Sequence, residues 1–153
     1  MKAIFITASI LLSLVCSTAH AQSGRWQALP DPGNTSSRFE DIYFLDSLRG
    51  FAVSSYDPGF YKTTDGGNTW QAKPFGLGSR LRAVEFLDDG LTGLVGSVGD
   101  GRGPYLTTDG GETWTNIYSR FPYTGNANSN RICGATHRGD TIVAVGWWGG
   151  YRG

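Results

Sequence analysis

Apolar residues come in short alternating runs along the chain, and no segment sustains a helical period. Ile42 and Phe44, and later Val84 and Phe86, alternate with their neighbours so that each run has one face to bury. Gly-rich turns separate the runs. The pattern predicts strands over 39–45, 49–54, 59–63 and 69–74, and again over 81–87, 92–97, 103–107 and 113–118.

The runs repeat. Tyr61-Lys62-Thr63-Thr64-Asp65-Gly66-Gly67-Asn68-Thr69-Trp70 returns as Tyr105-Leu106-Thr107-Thr108-Asp109-Gly110-Gly111-Glu112-Thr113-Trp114, so Tyr61 maps to Tyr105 and Trp70 to Trp114, an offset of 44 residues. Upstream, Ile42-Tyr43-Phe44-Leu45-Asp46 pairs with Val84-Glu85-Phe86-Leu87-Asp88, and Gly50-Phe51-Ala52-Val53 pairs with Gly93-Leu94-Val95-Gly96. A third copy opens at Arg131-Ile132, continues through Thr141 to Gly146, and reaches Gly150-Tyr151-Arg152. Trp26-Gln27-Ala28-Leu29-Pro30 resembles Trp70-Gln71-Ala72-Lys73-Pro74 and reads as the last strand of a further copy. Four short strands at a period near 44 make one blade of a β-propeller, so the fold class is all-β, a propeller of four-stranded antiparallel blades. The expected layout is a closing strand at about 25–30, a blade at 39–74, a second at 81–118 and part of a third at 131–153.

Both long copies carry Ser/Thr-x-Asp-x-Gly-x-Thr-Trp, as Thr63, Asp65, Gly67, Thr69, Trp70 and as Thr107, Asp109, Gly111, Thr113, Trp114. This is the Asp box, or bacterial neuraminidase repeat. An Asp carboxylate accepts N–H bonds inside its own turn, Gly supplies the positive φ, and Trp packs against the neighbouring sheet. Recurrence once per blade marks these residues as scaffold rather than as catalytic carboxylates or calcium ligands.

The run Phe39-Glu40-Asp41-Ile42-x-Phe44-x-Asp46-x-x-x-Gly50-Phe51-Ala52-Val53, followed by the first Asp box, resembles the photosystem II assembly and stability factor family. The resemblance covers the chain beyond the leader. It implies an exported propeller of about seven blades that acts as a non-enzymatic scaffold or assembly factor. The motif specifies the fold more sharply than the role, because Asp boxes also occur in sialidases, xyloglucan-cleaving hydrolases and sortilin-type receptors.

The N-terminus changes the setting. Lys2, the apolar run from Ala3 to Cys16 and Ala19-His20-Ala21 fit a signal peptide over 1–21, with the mature chain starting at Gln22. The apolar run is short for a membrane span. Val15 before Cys16 fits a lipoprotein site poorly. The expectation is an exported protein, periplasmic or extracellular, with no membrane span after cleavage. About 132 of the 153 residues then remain, fewer than a ring of about four to eight blades requires. Either the sequence is an N-terminal fragment or several chains complete one ring, and truncation is the simpler reading.

Charge and cysteine content narrow the chemistry. Thirteen basic residues balance 13 acidic ones, so no nucleic-acid partner is expected. Beyond the leader only Cys133 and His137 remain of their types, which leaves no intrachain disulfide and too few ligands for structural zinc. No metal or cofactor is expected, and Cys133 reads as a small packed residue.

Candidate binding residues lie at the ends of the first strands. Ser37-Arg38-Phe39, Ser79-Arg80-Leu81 and Asn130-Arg131-Ile132 each open such a strand with an arginine. Arg38, Arg80 and Arg131 suit an arc around the channel mouth that grips an anionic group or acidic protein segment, against the alternative that each pairs with a local acid or lies in solvent. The loops 55–58, 75–79, 99–104 and 119–130 lie on that face and are the expected route to protein partners. Carbohydrate is a second ligand class: Trp147, Trp148, Tyr151, Phe121 and Tyr123 either stack on sugars or pack between blades. Asn34-Thr35-Ser36 matches a glycosylation sequon that matters only in a eukaryotic secretory pathway.

The function these features favour is a non-catalytic interaction scaffold. The alternatives are a sialidase-like or other glycoside hydrolase propeller and a sugar-binding or receptor propeller. A glycosidase needs two carboxylates across its substrate, for which Asp57 and Asp100 are the candidates. A sialidase's Phe-Arg-Ile-Pro motif is missing where Ser37-Arg38-Phe39-Glu40 stands.

Overall fold

A computed structural model describes residues 28–30, 38–56, 59–75, 80–98, 103–120 and 131–147. Strands β1 (Phe39–Phe44), β2 (Gly50–Ser54), β3 (Gly59–Thr63) and β4 (Gln71–Pro74) pair antiparallel in chain order as one sheet. Strands β5 (Leu81–Phe86), β6 (Gly93–Ser97), β7 (Tyr105–Thr107) and β8 (Thr115–Asn116) repeat that order. A hairpin of β9 (Arg131–Arg138) and β10 (Thr141–Trp147) follows. The last strands begin later than the sequence pattern predicts. Thr69 and Thr113 are held back by bonds to the turn Asp, so β4 starts at Gln71 and β8 at Thr115.

The first strands of the three units are neighbours: β1 packs beside β5, and β5 beside β9. With each sheet ordered outward from its first strand, β4 and β8 lie outermost. Unlike faces meet at each junction. Phe51 and Val53 of β2 and Phe60 of β3 form one buried cluster with Val84 and Phe86 of β5. The Phe51 and Phe86 rings stack with centroids 3.8 Å apart. Trp114 enters the same junction edge-on to Phe60 at 5.2 Å. Each such buried side chain contributes about 1.5–3 kcal/mol through removal from water. At the second junction Ala83, Leu94 and Ile117 pack with Ile132, flanked by Ala135, Ile142 and Ala144.

The ladder register makes the units comparable residue by residue. Phe44 pairs with Gly50, Phe86 with Gly93, and His137 with Ile142, so His137 stands where the other first strands carry phenylalanine. By the same register, Val143 and Val145 correspond to Phe51 and Val53. Val53 is fully buried, whereas Val145 is 66% exposed.

Each first strand also carries a bulge, where one residue escapes pairing. That residue is Glu40 between Phe39 and Asp41, Arg82 between Leu81 and Ala83, and Cys133 between Ile132 and Gly134. A bulge re-aims the side chain it carries. This corrects the expectation for Cys133, which is exposed rather than packed because it is the bulged residue of β9.

Residues 28–30 form no regular strand; the rest of the expected closing strand, Trp26 included, lies outside the described residues. So do the leader over 1–21, the sequon at Asn34, Asp57, Asp100, Phe121, Tyr123, Trp148 and Tyr151, and the end of the third unit. Leu29 touches the first Asp turn: a Cβ on Gly67 would lie 3.0 Å from its Cδ1, as a Cβ on Gly111 would lie 2.8 Å from Phe60 Cε1. Leu29, Ile42, Ala52 and Trp70 line an open groove of about 450 Å³. Among the described residues no helix is long and apolar enough to cross a membrane.

Candidate functional site

The three arginines sit at matching places. Arg38 directly precedes β1, Arg80 directly precedes β5, and Arg131 opens β9. Because those strands are neighbours, the three lie at the same end of adjacent inner edges. Their surroundings differ. Arg38 grips Glu40 through Nε at 2.8 Å and Nη2 at 2.6 Å. Arg80 is exposed, and Arg131 is half-buried.

A fourth arginine belongs to this group and was not singled out from the sequence. Arg82 Nη1 stands 3.6 Å from Glu40 Oε2 across the first junction. Its Nε is buried and has no hydrogen-bond partner. The Ser55 hydroxyl also donates to Glu40. Burial works against the ionised form of Glu40, whose side chain is 7% exposed. The bonds from Ser55 and Arg38 and the charge of Arg82 outweigh that burial and hold the carboxyl below its usual range. Glu40 and Arg82 are both bulge residues, so the one signal that relates them is their shared place, second in a first strand.

The two repeated turns are closed by the same bonds. In the first, the Thr63 hydroxyl donates to Asp65 Oδ1 at 2.8 Å and accepts Gly67 N–H at 2.9 Å. Asp65 then accepts Thr69 N–H at 2.8 Å and the Thr69 hydroxyl at 2.6 Å. Thr107, Asp109, Gly111 and Thr113 reproduce this set. Gly67 and Gly111 have φ of 89° and 82°, where a side chain would strain the backbone. Bonds from Thr69 and Thr113 come first in holding Asp65 and Asp109 ionised below the usual carboxylate range. Both oxygens of each carboxylate accept bonds from their own loop. Trp70 packs edge-on to Phe44 at 6.2 Å, while Trp114 crosses into the first junction.

Further contacts tie the units together. Asp41 Oδ2 accepts Val84 N–H at 3.0 Å, beside the β5 bulge. Lys62 and Lys73 both reach Glu112, at 2.6 and 2.8 Å. These exposed pairs are worth about 0–1 kcal/mol each. At the second junction His137 lies between two carboxylates, with Nδ1 2.7 Å from Glu85 Oε1 and Nε2 3.2 Å from Asp88 Oδ1.

The sequence pairing of Asp46 with Asp88 needs a correction of one residue. Asp46 accepts Leu48 N–H and Arg49 N–H; Asp89, not Asp88, accepts the matching Leu91 and Thr92 N–H groups. The second turn holds one extra residue, and Asp88 is thereby released toward His137. No group of three or more His, Cys, Asp or Glu side chains among the described residues is placed to hold a metal ion.

No protein-family model matches the sequence, and no curated protein matches it either. Solved structures do. YCF48 bound to D1 peptide aligns with a TM-score of 0.58 and 22% identity over 77% of this chain. YCF48 from Cyanidioschyzon merolae aligns with a TM-score of 0.58 and 24% identity over 80%. An ancestral GH74 enzyme aligns with a TM-score of 0.52 and 14% identity over 68%. The chain spans 36% and 38% of the two YCF48 structures and 15% of the GH74 enzyme. At these identities the likeness speaks to architecture, and it agrees with the sheets described above: the chain has the β-propeller fold, built of four-stranded antiparallel blades.

Proposed function

We propose that this chain is part of an exported, non-catalytic propeller of the photosystem II assembly factor type. In this reading it holds an acidic segment of a protein partner against the arginine-bearing ends of its inner strands. The observation that carries the reading is the placing of Arg38, Arg80 and Arg131 at one end of adjacent inner strands. Arg38 itself is held by Glu40 of its own strand, the local pairing that the sequence left as the alternative, and Arg82 of the next unit stands 3.6 Å from the same carboxylate. A guanidinium suits this work because its planar fork matches a carboxylate and stays charged. Arg80 and Arg131 extend the same row. A YCF48 structure of like fold holds a D1 peptide, which supports a protein segment as the ligand class. The Asp-box turns serve as scaffold in this reading, which the bonds that both carboxylates accept within their own loops support.

The test is binding of a fluorescein-labelled, Glu-rich peptide followed by anisotropy. Replacing Arg38, Arg80 and Arg131 together by alanine is expected to weaken binding by about tenfold or more, since one lost charge-assisted hydrogen bond costs about 1.5–3 kcal/mol. The native affinity should fall as salt rises. Equal binding by the triple variant rejects the reading. Turnover on a panel of fluorogenic glycosides rejects its non-catalytic part.

A further inference from the structure

The two junctions are built on one register but bring different residues together across it. At the first, Phe86 of β5 faces Tyr43 of β1, with ring centroids 6.4 Å apart. At the second, the matching places are taken by His137 of β9 and Glu85 of β5, whose Nδ1 and Oε1 stand 2.7 Å apart. An apolar contact has become an ionisable one. The extra residue of the turn after β5 places Asp88 on the other side of the ring, with Oδ1 3.2 Å from Nε2.

Both ring nitrogens therefore face carboxylate oxygens. A neutral imidazole has one N–H and one lone pair, so one nitrogen would point its lone pair at an anion. Only the imidazolium donates to both. Its side chain is 18% exposed and that of Glu85 is 9% exposed, so the inner bond is partly shielded from water, whereas Asp88 lies in solvent. The remaining titratable neighbour among the described residues is Tyr43 of β1, whose ring meets His137 edge-on at 6.3 Å.

We infer that His137, Glu85 and Asp88 form an acid-tightened clamp between the second blade and the β9–β10 hairpin, closed when the imidazole is protonated and loosened as the proton leaves. The ring's proton affinity points the same way: the bond to Glu85 comes first in holding His137 above its ordinary value, with Asp88 adding to it. The sign follows. A pKa raised in the folded chain contributes stability that is complete below the unfolded value of 6.5 and is lost as pH rises through the folded one. Each unit of rise corresponds to about a tenfold larger folding equilibrium constant on the acid side. The step is a proton equilibrium with solvent and requires no other reactant.

The test is an NMR titration of the His137 ring, paired with urea unfolding at mildly acid and mildly alkaline pH. The ring should titrate above 6.5, with both nitrogens protonated on the acid side. The urea midpoint should fall with rising pH across that titration. His137→Phe, which restores the residue type of the first junction, should remove that dependence. Asp88→Asn, at a side chain 86% exposed, should lower the ring's midpoint and shrink the dependence. A ring that titrates at or below 6.5 overturns the clamp. So does a pH dependence that persists unchanged in His137→Phe, or, should that variant not fold, in Asp88→Asn.

Discussion

The hydroxyl of Thr107 illustrates how much one atom carries in these turns. It donates to Asp109 at 2.7 Å and accepts Gly111 N–H at 2.9 Å, in a residue that is almost fully buried. Thr107→Val keeps the shape and removes both bonds, leaving the Gly111 N–H unpaired. The expected cost is about 1–3 kcal/mol, read as a lower urea midpoint, with Thr107→Ser costing less. These turn residues were legible in the sequence because every partner lies within four positions, so spacing alone identifies the geometry. Glu40 with Arg82, and His137 with Glu85, were not. Their meetings depend on bulges and on how one sheet seats against the next, and no local spacing records either. The one-residue slip that separates Asp88 from Asp89 was hidden too, since both are aspartates.

Among elements, equivalent strands differ in value according to what covers them. Val53 on β2 and Val145 on β10 occupy the same rung, yet the first is buried beneath β5 and the second is largely exposed. Val53→Thr puts a hydroxyl into an apolar junction and should cost about 1–3 kcal/mol. Val145→Thr should stay within about 0.5 kcal/mol of the native chain. Thermal unfolding of the two variants side by side checks the difference. The alternation of the strands predicted which residues share a face. It did not show that Trp114 enters a junction while Trp70 rests beside an open groove, because that depends on the unit in front.

The whole molecule should share one response to acid. Asp46, Asp65, Asp89 and Asp109 are each held below the ordinary carboxylate value, chiefly by bonds from their own turns, and Asp46 is held at about 2. Lowered folded values mean that the stability they contribute is complete above the unfolded value of 3.8 and disappears as pH falls toward the folded ones. The urea midpoint should therefore decline steeply below about pH 4, and Asp46→Asn should flatten part of that decline. A flat profile there contradicts these turn assignments. The repeat made the propeller readable from the chain, since a period with a fixed corner constrains architecture more than any single strand does.

One feature of the junctions bears on ancestry. Among the described residues the back of the first unit meets the front of the second, and the back of the second meets the front of the third, on the same register. Duplicating or deleting a complete module would bring together faces built on matching rungs, though not on matching side chains. The joint at His137 is a case in point. A spliced module that brought tyrosine rather than an acid to the place of Glu85 would remove the carboxylate that the imidazole faces, so that joint works only as a matched couple.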